Sequence, residues 1–164
     1  MRILSFSLLL AGLLGVQLFG SGLTAQAGDE RLALKGYDTV AYFTEKRPML
    51  GDPKYQHDFD GAIYRFASDK HLALFKANPD RYVPQYNNWC TASVAKGAKV
   101  YGNPEWWIVV DGRLYLFGKP IGPGLMRADP VAMKKRADEK WPMVSKIPAP
   151  PMPDYMLRTV AEQK

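Results

Sequence analysis

Two stretches of strand-like pattern, each broken by Asp-Gly, organise this chain. In the first, Tyr55, His57 and Phe59 alternate with Gln56 and Asp58, the period of a half-buried strand. Asp60-Gly61 follows as a two-residue hairpin turn, and Ile63, Tyr64 and Phe66 carry the return strand. In the second, "WWIVV" and "RLYLF" flank Asp111-Gly112. Beyond their turns the two hairpins share little, and no internal repeat is read from the sequence.

Helical patterns fill the spaces between. Ser68 is a helix N-cap, Asp69 suits a first turn, and "DKHLALFKA" puts Leu72 and Phe75 on one face. Asn78-Pro79 stops that helix. Asn87 or Asn88 caps a short helix from Trp89 to Lys96, with Gly97 as its stop. "TVAYF", after a turn at Gly36 and Asp38, is a short strand or a helix start, and "GKPIGPG" is a loop. A helix pattern resumes from Met126 to Lys140 and ends before Trp141-Pro142. The predicted fold is a small single α+β domain: two Asp-Gly β-hairpins with short packed helices.

Both ends differ from this middle. Arg2, an apolar run from Ile3 to Phe19 and the small-x-small site Ala25-Gln26-Ala27 read as a secretory signal peptide over residues 1–27. The run is short for a span and is broken by Gly12, Gly15 and Gln17, so no stable membrane anchor is expected after cleavage. The chain is expected to be exported, periplasmic or secreted. Residues 28–142 form the domain. Residues 143–164, with "IPAPPMPDY", are a proline-rich tail, either a disordered spacer or a strap over the domain.

Charge changes the picture little. The net charge is +6, but the basic residues are scattered. The densest group, Lys134 to Arg136, runs straight into Asp138 and Glu139, a solvated helix face and not a nucleic-acid footprint. The chain has no His-x-Glu-x-x-His metal motif, no Gly-x-Ser-x-Gly nucleophile elbow and no phosphate loop. No enzyme active site is recognised; thiol-redox activity is the one candidate.

That candidate is Cys90, the one cysteine of the chain. With Asn88 as cap, it sits near a helix N-terminus, where the dipole favours thiolate. Tyr86, Trp89 and Trp106 are candidates to wall a pocket around it. The opposite reading is a lone cysteine packed as a small hydrophobe. His57 reads as a core residue beside Tyr55 and Phe59. His71 lies in the first turn of its helix, as a cap, a surface group or a neutral metal ligand. Asp38 reads as a turn or capping residue. The methionines form no tight Met-x-Met cluster.

Several pieces match one family in order: "GYDTVAYF", "GDPKY", "YRFAS", "LFKANPDRYVPQY", "CTASVAKG", "VVDGRLYL" and "DEKWP". From Gly36 to Pro142 the chain resembles the exported branch of the YHS-domain proteins. Metal-handling members carry three thiols, which fall here on Ala41, Ala67 and His71. The exported branch has a Q-Y-G-G-Y/W-C-A stretch, which falls on Gln85 to Ala92 with Cys90 at its cysteine and Asn87-Asn88 in place of two glycines. The resemblance implies an exported YHS-type accessory protein binding a soft metal ion (copper or zinc) or a redox-active ligand near Cys90, with His71 as the second donor. Two alternatives stay open: a thiol-redox protein using Cys90, and a non-catalytic module that meets a partner protein, with Cys90 buried.

Overall fold

Both Asp-Gly pairs turn as their sequence predicts. Asp60 and Gly61 have φ of 48° and 75°, and Asp111 and Gly112 have 50° and 69°. Positive φ at both central residues is what a type I′ hairpin turn requires. The first turn joins β1 (Asp52–Phe59) to β2 (Ala62–Phe66), and the second joins β3 (Asn103–Val110) to β4 (Arg113–Phe117). Each pair is antiparallel and forms a separate two-stranded sheet. The computed structural model describes residues 31–153; the expected signal segment, within residues 1–30, and residues 154–164 lie outside them. Six short helices complete the α+β domain: α1 (Ala41–Thr44), α2 (Asp69–Ala77), α3 (Pro79–Tyr82), α4 (Thr91–Val94), α5 (Gly122–Ala128) and α6 (Pro130–Val144). None of the described helices is long and apolar enough to cross a membrane.

The two halves repeat one another, contrary to the sequence reading. Leu34, Lys35 and Gly36 all have positive φ, and so do Tyr86, Asn87 and Asn88. Each left-handed turn leads into a four-residue helix, α1 or α4. Tyr37 bridges Leu50 as Trp89 bridges Tyr101, and Leu32 bridges Ile63 as Pro84 bridges Leu114. The Asp38 N–H donates to Met49 O at 2.8 Å, and the Cys90 N–H donates to Val100 O at 2.8 Å. Even the irregularity in register recurs: Asp52 pairs with Phe66 and then Gln56 with Arg65, while Asn103 pairs with Phe117 and then Trp107 with Leu116. Asn78 and Asp129 share one unusual conformation before Pro79 and Pro130. The repeat is hidden because many equivalent residues differ: Phe75 answers to Met126, Tyr82 to Met133 and the exposed Gln56 to Trp107.

Packing explains which residues changed. The first core gathers Val40, Tyr42, Tyr64, Phe66, Phe75 and Tyr82 between the hairpins. It is closed by Leu114 and Leu116 of β4, with Trp107 and Val109 of β3 packed on it. The second core lies on the other face of the same hairpin, against Tyr115 and Phe117, with Val94, Met126 and Met133. So β3 and β4 are apolar on both faces and serve both cores. The matching outer face of the first hairpin, with Lys54, Gln56, Asp58 and Arg65, is polar and ends the array. At the other end α6 outgrows its counterpart α3. Its Ala137 and Val144 enter the second core, and Trp141 packs against it.

The C-terminal helix pattern needs correcting in two places. The predicted helix from Met126 to Lys140 is two helices, parted at Asp129-Pro130, where Asp129 caps α6 by accepting from the Ala132 N–H at 2.9 Å. Pro142 does not end α6, which runs to Val144. Pro142 lies in the last turn, where its missing N–H leaves one ladder hydrogen bond unmade. The "GPG" of the expected loop opens α5, with Pro123 in its first turn. The start of the tail is a strap: Lys99 Nζ donates to Ser145 O at 2.9 Å and also to Ile147 O, and Tyr101 Oη donates to Pro150 O at 3.2 Å.

Candidate functional site

Cys90 is itself the N-cap of α4, whose first helical residue is Thr91. This shifts the expected helix start: Asn87 and Asn88 belong to the left-handed turn before it. Asparagine is, after glycine, among the residues that best tolerate that conformation, which is how the pair holds this turn. The Cys90 side chain makes no capping hydrogen bond. It is 5% exposed and sits in the second core. The expected partly open pocket is therefore a packed interior at this residue.

The aromatic neighbours are committed elsewhere. Tyr86 is buried, and its hydroxyl donates to Asp138 Oδ1 at 2.7 Å. Burial, and then that hydrogen bond, push its pKa well above the ordinary phenol value. Its ring packs edge-on to Trp141 at 5.6 Å. Trp89 stacks on Tyr101 at 4.6 Å, with Lys99 Nζ 5.0 Å from the ring centroid. Trp106 is half-buried against the second core. These three residues share the half that holds Cys90, but their roles are packing and strap-holding.

His71 stands in the other half, 6% exposed, in the first turn of α2. Ser68 caps that helix as predicted, accepting from the His71 N–H at 3.2 Å. The ring nitrogen Nδ1 lies 2.6 Å from Asp38 Oδ2. Asp38 is fully buried and is a hub. Its Oδ1 accepts from the N–H groups of Val40 at 2.8 Å and Ala41 at 3.3 Å, and Oδ2 accepts from the Ala67 N–H at 2.8 Å. The turn-holding role of Asp38 was legible; its pairing with His71 was not. His57 is half-buried, with its ring 6.2 Å from that of Phe75.

The structure thus separates the two proposed metal donors. The polar partners of the His71 side chain, namely Asp38, Thr44 and Glu45, all come from the first half. Cys90 is enclosed by the second core. Among the described residues no three His, Cys, Asp or Glu side chains are grouped to hold an ion. A soft metal shared by Cys90 and His71 does not fit this arrangement. No protein-family model, curated protein or solved structure matches the chain.

Proposed function

We propose that this chain is an exported, non-catalytic binding module of YHS type, in which Cys90 is a packing residue. The observation that carries this reading is the burial of Cys90 in an apolar cluster with no side-chain hydrogen bond. A reactive thiol needs access and a polar or cationic setting. Among the apolar side chains left in solvent, Ile121 is 64% exposed, Leu125 on α5 45% and Val131 on α6 71%. They supply surface for a partner protein without a catalytic group. Export rests on the signal pattern of residues 1–27, and the family on the ordered motifs from Gly36 to Pro142.

The rate at which Cys90 exchanges with a small aromatic disulfide, releasing the reagent's thiolate, compared in native buffer and in denaturant, tests the reading. The native thiol is expected to react orders of magnitude more slowly than the unfolded one. Equal rates would replace this reading with the thiol-redox one. Cys90→Ser is expected to lower stability by about 1 kcal/mol, the cost of placing a hydroxyl in an apolar site.

A further inference from the structure

Every residue from Ile147 to Pro153 is a proline or stands directly before one. Proline fixes φ at about −65°, and the residue before it is pushed out of the helical region, so this segment is set in the polyproline II conformation. That helix completes a turn in about three residues. Burial along the strap has the same period: Ile147, Pro150 and Pro153 are half-buried, while Pro148, Ala149, Pro151 and Met152 are exposed. One edge of the strap therefore lies on the domain. A polyproline II helix makes no internal hydrogen bonds, so its carbonyls are free to accept from outside. Tyr101 Oη donates to Pro150 O at 3.2 Å, and Lys99 Nζ donates to Ile147 O. Trp89 holds both donors in place. Tyr101 pairs with it as a bridge and stacks on it at 4.6 Å, and the Lys99 ammonium lies 5.0 Å from its ring centroid.

We infer that Trp89, Lys99 and Tyr101 form a recognition groove for a proline-rich segment of a partner protein, and that the strap occupies this groove in cis. Aromatic-lined grooves are a general means of binding such segments, which are stiff before they dock and lose little entropy in doing so. What holds the strap is not particular to its sequence: two donors meet main-chain carbonyls, and an apolar edge recurs at every third residue. A partner segment with the same spacing offers the same carbonyls and the same edge. The strap's advantage is its tether, which gives it an effective concentration on the order of millimolar. It therefore sets a threshold that a partner must exceed. The domain does not come apart when the strap leaves, because α6 is anchored before it by Ala137 and Val144 in the second core. The inference rests on the reading of the chain as a binding module. It adds a second surface, with its partner class, to the one at Ile121, Leu125 and Val131, and it does not depend on the burial of Cys90.

The test is the fluorescence anisotropy of two labelled probes, decaproline and a peptide of residues 145–153, titrated with the purified full chain. A loosened variant carries Pro150→Gly, Pro151→Gly and Pro153→Gly, none of which belongs to either core. Both probes should bind it saturably, and should bind the unsubstituted chain about tenfold or more weakly, because there the strap competes. Tyr101→Phe added to the loosened variant should weaken both probes about threefold or more, through loss of the hydroxyl. The unsubstituted chain gives a readout that does not depend on the variants: decaproline above millimolar concentration should move the Ile147 methyl resonances as the strap leaves. No saturable binding to the loosened variant, binding indifferent to Tyr101→Phe, or unmoved Ile147 resonances overturns the inference. Binding of the tail peptide without decaproline also overturns it and gives the groove to this chain's own tail; sedimentation then shows whether that tail is a second copy's. Failure of both probes while Cys90 stays slow to exchange would remove this inference alone and leave the packing role of Cys90 standing.

Discussion

Asp38 and Cys90 hold the same station in the two halves of the chain. Each lies two residues after a run of three left-handed residues, donates its N–H to the carbonyl of the opposing segment, and precedes a four-residue helix. At the first station the side chain gathers three amides and an imidazole. At the second it gathers apolar carbon. The fold accepts a carboxylate hub or a packing thiol at one and the same turn.

The two stations should therefore respond differently to truncation. Asp38→Ala strands buried amides and the His71 ring, and is expected to cost about 3 kcal/mol or more. Cys90→Ala removes one sulfur from an apolar site and is expected to cost about 1–2 kcal/mol. Urea denaturation of both variants measures the difference. Equal losses would show that Asp38 is not the hub described here.

Two kinds of glycine can be told apart by substitution. A Cβ on Gly51 would lie 2.4 Å from the Arg65 carbonyl carbon, whereas a Cβ on Gly61 meets nothing within 4 Å. Gly51→Ala forces backbones apart and should cost about 2–3 kcal/mol. Gly61→Ala suffers only the strain of its φ of 75° and should cost about 1 kcal/mol. Thermal melts that reverse this order would contradict the close approach at Gly51.

Thr39 and Thr91 are equivalent, fully buried, and their hydroxyls find no hydrogen-bond partner. Thr91→Val keeps the shape and removes an unsatisfied group, so it should be neutral or stabilise by up to about 1 kcal/mol. A loss beyond about 1 kcal/mol in chemical denaturation would reveal a partner for that hydroxyl.

Alkaline pH should destabilise the fold through its tyrosines. Burial, with a further push from Asp60, raises Tyr64 from 10.0 to about 12. Burial and the Glu105 contact do the same for Tyr37. The unfolded chain releases these protons first, so their stabilising effect is complete below pH 10 and is lost as the pH climbs from 10 towards 12. Tyr64 contributes a slope of up to about 1.4 kcal/mol per pH unit in that window, and the more exposed Tyr37 contributes less. Tyr64→Phe should flatten the fall in urea midpoint there; an unchanged slope would mean that Tyr64 titrates as if exposed.

Local chemistry made the hairpins and the Ser68 cap legible, because an Asp-Gly turn and an N-cap act within a few residues. The left-handed role of Asn87-Asn88 was legible for the same reason. Long-range relationships were not. Asn78-Pro79 signals a stop, while Asp129-Pro130, its equivalent, sits inside an apolar pattern that runs on without a break. The pairing of Asp38 with His71 crosses much of the first half, and no local spacing signals it. The burial of Cys90 depends on α6 closing over the second core, a contact made by residues far along the chain.

A hairpin that is apolar on both faces ties the fate of one core to the other. Without Leu114 and Leu116 the first core has no lid, and without Tyr115 and Phe117 the second has no floor. The halves look like two modules but cannot melt as two. The amides of β4 should exchange with solvent only when the whole domain opens, and unfolding should pass through a single cooperative transition.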